Sequence, residues 1–161
     1  MKQELLAFDR RLAELMTSRT LPMDEVLRYV GEGKGKRLRP KLVFLAEKLF
    51  GEVNEATWRT ALFVELLHTA TLVHDDVVDE SDERRGRPSV NAKWDNKTAV
   101  LCGDHLLSKA MLVLSDPVDN KILVEMLNTA LAMSEGELMQ SRRQETEDRR
   151  QNYFNIIARK T

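Results

Sequence analysis

Apolar residues recur along most of this chain at intervals of three and four, the period of a helix with one buried face. Residues 2–17 place Leu5, Phe8, Leu12 and Leu15 on one side. A second helix starts near Pro22 with Met23 or Asp24 at its cap, turns Val26, Leu27 and Val30 inward, and gives out in a loop at Gly31, Gly33 and Gly35. Pro40 opens the third in its first turn, and Leu42, Val43, Leu45, Ala46 and Leu49 carry it to Gly51. Asn54 caps a long central helix that runs to about Glu80 and toward one further turn. Pro88-Ser89 breaks it. Another helix follows over about 92–114, the next starts at Asp116-Pro117 and runs toward Arg143, and an amphipathic segment holds Tyr153, Phe154, Ile156 and Ile157. Strand-like alternation, repeats and linkers are absent, so the pattern predicts seven helices in a single all-α domain over residues 1–161.

Composition narrows the picture. Acids and bases nearly cancel, leaving a net charge of −1, which argues against nucleic acid as a partner. The single Cys102 excludes an internal disulfide and suits a reducing compartment. The opening MKQELLAFDRR lacks the apolar core of a signal peptide, and no apolar run approaches the length of a transmembrane segment. These features read as a cytoplasmic protein whose membrane association, if any, would come from a lipidic product.

Charge is concentrated in two places. In the central helix Asp75 and Asp79 stand four apart on one face, and His68 lies two turns upstream on the same side. Asp82 would extend the stripe if the helix continued, while Asp76 is turned about a quarter-circle away. Hard oxygen ligands without thiolates favour Mg²⁺, or Mn²⁺, over zinc. Directly after them comes Arg84-Arg85-Gly86-Arg87-Pro88. The second place is Gly33-Lys34-Gly35-Lys36-Arg37-Leu38-Arg39-Pro40, where proline fixes a helix start whose free amides favour anions. This is not a P-loop, since the spacing, the following Ser/Thr and the preceding strand are missing. Alone, each feature has a plainer reading: a solvated acidic helix end, a solvated glycine-lysine turn, a core histidine. Metal-binding acids beside forked guanidinium donors suit a metal-chelated polyphosphate.

GKGKRLRP (33–40), ELLHTATLVHDDVVDESDERRGRP (65–88) and LCGDHLLSKA (101–110), in this order, resemble the trans-isoprenyl diphosphate synthases. The resemblance implies a helical bundle of the isoprenoid synthase type and a head-to-tail condensation of isopentenyl diphosphate with an allylic diphosphate. It implies that Asp75 and Asp79 hold Mg²⁺ and that Arg84 binds the allylic diphosphate. Lys36, Arg39, His68 and Arg85 would hold the diphosphate of the other substrate, and Lys160-Thr161 match a pair that contacts the allylic one. It also implies a homodimer. The small residues Ala70 and Thr71 before the first aspartate imply a medium- or long-chain polyprenyl product. One departure stands out: Lys34 separates Gly33 from Gly35 where the family more commonly has paired glycines, although Gly35 is kept beside Lys36.

The family's second aspartate-rich motif has no counterpart. Asp116-Pro117-Val118-Asp119 reads as a helix start, and Glu145, Glu147 and Asp148 lie in a mixed-charge run, Arg142 to Arg150, that reads as a solvated face. The expectation is the N-terminal half of a longer synthase, or a shortened relative, that pairs with another chain to cover its apolar faces. A non-catalytic or regulatory diphosphate-binding subunit, or an inactive truncated form, is the alternative; a purely structural helical protein is the third reading. Gly103 inside a helix, at a cost of about 1 kcal/mol, is read as a close-packing site. Met111, Met126, Met133 and Met139 are read as core filler.

Overall fold

The computed structural model describes residues 1–33, 35–116, 119–141 and 149–160, with the side chains of 149–152 and 160 left aside. Its helices are α1 (Lys2–Leu15), α2 (Leu21–Gly31), α3 (Leu38–Phe50), α4 (Glu55–Val78), α5 (Val90–Lys93), α6 (Asn96–Val113), α7 (Asn120–Ser141) and α8 (Arg149–Lys160). They fall into two compact units, Met1–Asp116 and Pro117–Thr161. In the second, α7 packs on α8 and Glu135 lies 3.6 Å from Arg159. The expectations placed on Pro117 and on Glu145, Glu147 and Asp148 lie outside the described residues.

The first unit is built around α4. Asn54 and Thr57 close a reciprocal capping box at its start, at 3.1 and 3.2 Å. Its buried residues run round much of its circumference, because α3 packs on one side and α6 on the other. Phe8, Leu27, Phe44, Phe63, Leu66 and Leu106 fill the core, with Phe44 edge-on to Phe8 at 6.3 Å and to Trp58 at 4.8 Å. Where α4 crosses α6, the bare face of Gly103 admits the His74 imidazole, which a Cβ there would overlap. The glycine's helical cost is thereby repaid in packing.

Five expectations need correction. First, α4 stops at Val78, so Asp82 does not extend the acidic stripe. Asp79 is the cap, Glu80 adopts a left-handed backbone (φ 51°), and the Ser81 amide donates to the Asp76 carbonyl at 2.8 Å in a Schellman closure. Second, the chain is not free of strands. Glu83–Arg84 and Arg87–Pro88 form a small antiparallel hairpin. Its turn residues Arg85 (φ 54°) and Gly86 (φ 75°) both have positive φ, as a type I′ turn requires. Third, Trp94 leaves the helical region and splits the expected 92–114 helix into α5, capped by Ser89, and α6, capped by Asp95. Likewise α2 is capped by Thr20, while Asp24 accepts from the Ser18 amide at 2.8 Å. Met111 and Met133 are not core residues here, being 39% and 47% exposed.

Candidate functional site

Two helix ends carry the charged residues, and both run against their own dipoles. The C-terminus of α4, the negative end, has no basic residue in its last turn and bears Asp75, Asp76 and Asp79. The N-terminus of α3, the positive end, has no acid in its first turn and bears Lys36, Arg37 and Arg39. Each end therefore concentrates a charge that only a counter-charge from elsewhere can balance.

At the acidic end the three aspartates are not equivalent. Asp75 and Asp79 are exposed, one turn apart. Asp76 is buried and accepts from Arg84 Nε at 2.8 Å and from Nη2 at 2.5 Å. The Asp76 carboxylate holds the Arg84 guanidinium above its usual range, with Asp75 and Asp79 adding to the same field. Sequence spacing does not reveal this pairing, since it depends on the hairpin that turns Arg84 back onto α4. Asn91 and Ser89 complete the closure by donating to the Ser81 carbonyl at 3.1 and 2.7 Å.

The basic end is tied down at one residue. Arg37 caps α3 with a left-handed backbone (φ 52°), while its side chain reaches Asp9 of α1 and Glu65 of α4. Lys36 and Arg39, on either side, are exposed. His68 is half-buried in the middle of α4; burial pushes its pKa down, and the positive charges of Arg39, Arg85 and Arg84 push the same way. Those charges show that the fold brings Arg39, Arg84 and Arg85 into the field of His68. Gly35 lets the hairpin tip close on the loop: a Cβ there would stand 3.1 Å from Arg85 Nη1. Tyr29 fastens the hairpin from α2, donating its hydroxyl to the Pro88 carbonyl at 2.8 Å beneath the Arg87 guanidinium.

Between these elements lies a cleft of about 290 Å³ whose lining includes Leu12, Tyr29 and Val30 together with His68, Asp76, Arg84 and Arg85. Lys36, Arg39, Asp75 and Asp79 do not line it. The Lys160 side chain and Thr161 lie outside the described residues. The described non-glycine residues with positive φ are Arg37, Glu80 and Arg85; Arg37 and Arg85 line the cleft, and Glu80 closes α4. A left-handed backbone costs such residues about 1–2 kcal/mol, and strain of this kind gathers at functional sites.

Among the described residues no group of three or more His, Cys, Asp or Glu side chains could hold a metal ion alone. Two exposed carboxylates one turn apart, at a helix C-terminus with no basic residue in its last turn, nonetheless fit a divalent cation that keeps waters and takes phosphate oxygens. Asp76, committed to Arg84, is not part of that donor set.

A protein-family profile described as Polyprenyl synthetase matches residues 21–161. The chain is 43% identical over 162 residues to the all-trans-nonaprenyl-diphosphate synthase (geranyl-diphosphate specific) of Rhodobacter capsulatus, covering 99% of this chain and 50% of that one. It is 34% identical to the octaprenyl diphosphate synthase of Escherichia coli, with 99% and 50% covered. A polyprenyl synthase from Caulobacter crescentus, solved in complex with calcium and isoprenyl diphosphate, superposes with a TM-score of 0.89 at 31% identity, covering 99% of this chain and 49% of that one. The fold is thus that of the isoprenoid synthases, and the chain spans about half the length of the relatives it matches.

Proposed function

Because the chain belongs to the polyprenyl synthetase family, we propose that it carries the metal- and diphosphate-binding wall of a prenyltransferase. The reaction joins isopentenyl diphosphate to an allylic diphosphate and builds a medium- or long-chain polyprenyl diphosphate in the cytoplasm. The observation that supports this most is the pair of helix ends whose side-chain charge runs against their own dipole: the end of α4 calls for a cation and the start of α3 for an anion. A metal-chelated diphosphate beside a second diphosphate satisfies both.

In this reading Asp75 and Asp79 hold Mg²⁺, which when bound supplies charge neutralisation to a departing diphosphate. Arg84, held in place by Asp76, would donate its remaining N–H groups to that leaving group. Lys36, Arg39, Arg85 and His68 hold the diphosphate of isopentenyl diphosphate, with Lys160 and Thr161 assigned to the allylic side. The allylic C–O bond breaks with its electron pair going to the diphosphate. The isopentenyl double bond attacks the resulting cation, and a proton leaves to the released diphosphate. The protein's part is positional and electrostatic, with no covalent nucleophile.

The test is to incubate the chain with both substrates and Mg²⁺ and to size the products by chromatography. Binding of both diphosphates is expected, with little turnover by this chain alone; failure to bind either diphosphate would overturn the reading. Since the chain spans about half of its relatives' length, a second reading is a diphosphate-binding subunit that turns over only with a partner chain, and dimerisation or pairing belongs to both. Turnover that appears only when a second chain is added would favour that reading.

A further inference from the structure

Three basic side chains crowd into four positions at 36, 37 and 39, and the sequence does not distinguish them. Resting on the diphosphate reading above, we propose that Arg37 is a positioning residue for the anion site and not one of its ligands. Its guanidinium is pinned between α1 and α4, and it sets the backbone from which Lys36 and Arg39 project.

The geometry separates Arg37 from its neighbours. Arg37 Nε donates to Asp9 Oδ1 at 2.9 Å, and Nη1 donates to Glu65 Oε1 at 2.8 Å. Its side chain is 19% exposed and that of Glu65 only 8%, whereas Lys36 and Arg39 are open to solvent. Arg37 lines the cleft, but an anion there would have to compete with two carboxylates already held by its guanidinium, one of them buried. The left-handed backbone at Arg37 is a conformation that a long side chain keeps only where its surroundings hold it. Burial works against the charge on Arg37, and its hydrogen bonds to Glu65 and Asp9 more than restore it. Arg37 thus joins α1, α3 and α4, and its partner on α4, Glu65, lies three positions before His68. Glu65 also stands 3.6 Å from the place of a Cβ at Gly35, on the side where Arg85 approaches.

The roles differ in the sign of one substitution. If Arg37 were an anion ligand held back by Glu65, Glu65→Gln would free it, remove a negative charge from the site, and tighten binding. If Arg37 is a pin, Glu65→Gln loosens the loop and weakens binding. Calorimetry of isopentenyl diphosphate binding to the full chain is expected to show Glu65→Gln and Arg37→Met each weaker by about tenfold. Arg37→Lys should recover part of the loss, and Lys36→Ala should cost less in the Glu65→Gln background than alone, because the two act through one loop. Amide exchange without ligand should rise over residues 35–39 in Glu65→Gln while α6 stays protected. Tighter or unchanged binding in Glu65→Gln, or unchanged exchange, would overturn the proposal. A wild-type chain that bound no diphosphate would overturn the reading beneath it, and the exchange alone would then decide whether Arg37 pins the loop.

Discussion

The end of α4 and the start of α3 face the same electrostatic problem and solve it differently. At the end of α4, five acids lie between residues 75 and 82, and one of them, Asp76, is neutralised from within by Arg84 of the hairpin. Asp75 and Asp79 stay at the surface. At the start of α3, the residue taken out of play is a base, Arg37, bound to acids on two other helices, and Lys36 and Arg39 stay at the surface. Each end commits one charged residue to holding its own fold, Asp76 at the first and Arg37 at the second. The strained residues mark those anchor points: Glu80 and Arg85 flank the first, and Arg37 is the second. A bare count of charges in the motif therefore overstates the groups open to a ligand by one at each end.

The largest expected effect comes from replacing an outward acid. Asp75→Ala should abolish metal-dependent binding of an allylic diphosphate analogue, measured by calorimetry, and leave the helical circular dichroism unchanged. Unaltered binding would break the comparison at its acidic end. Asp76→Ala should behave differently, lowering stability by about 1–3 kcal/mol in urea denaturation, because it leaves Arg84 without its buried partner. Equal destabilisation by both substitutions would show that the inward and outward acids are not distinct.

Product length gives a comparable effect with the same logic. Ala70 is 2% exposed, whereas Thr71 is open to solvent. In a preparation that turns over, Thr71→Phe should shorten the products without loss of stability. Ala70→Phe should shorten them as well, but at about 1–3 kcal/mol of overpacking. An unchanged product distribution in both would count against a chain path along α4.

At the basic end, Lys36→Ala and Arg39→Ala should each weaken isopentenyl diphosphate binding by about tenfold to a hundredfold, the size of a lost charge-assisted hydrogen bond. The smallest effect is with pH. The folded-state pKa of His68 is depressed by burial and by neighbouring cations, and that of His105 by burial and Lys109. The unfolded chain therefore binds more protons between those depressed values and the ordinary 6.5. The stability from keeping these residues neutral is fully present above about 6.5 and is lost as pH falls toward the folded values. Denaturation midpoints measured across that window should fall with pH, and His68→Gln should flatten the slope.

What the sequence by itself determined is what depends on neighbours within a few residues. The helices, the Asn54 cap, the shared face of Asp75 and Asp79, and the close-packing role of Gly103 follow from period, capping and side-chain size, which are local properties. The hairpin escaped because two-residue strands carry no alternation to read, and an Arg-Gly turn is a weak signal without its partner strands. Only tertiary structure decided which charges are spent and which are available. Arg84 could as readily have reached solvent as Asp76, and Arg37 is no different in type from Arg39. Their pairings are set by where α1, α4 and the hairpin converge, 28 residues apart in the case of Arg37 and Glu65. The same holds for Ala70 and Thr71, both small, of which packing buries one and leaves the other open. Long, flexible side chains find partners by proximity in space, and the packing of distant helices creates that proximity.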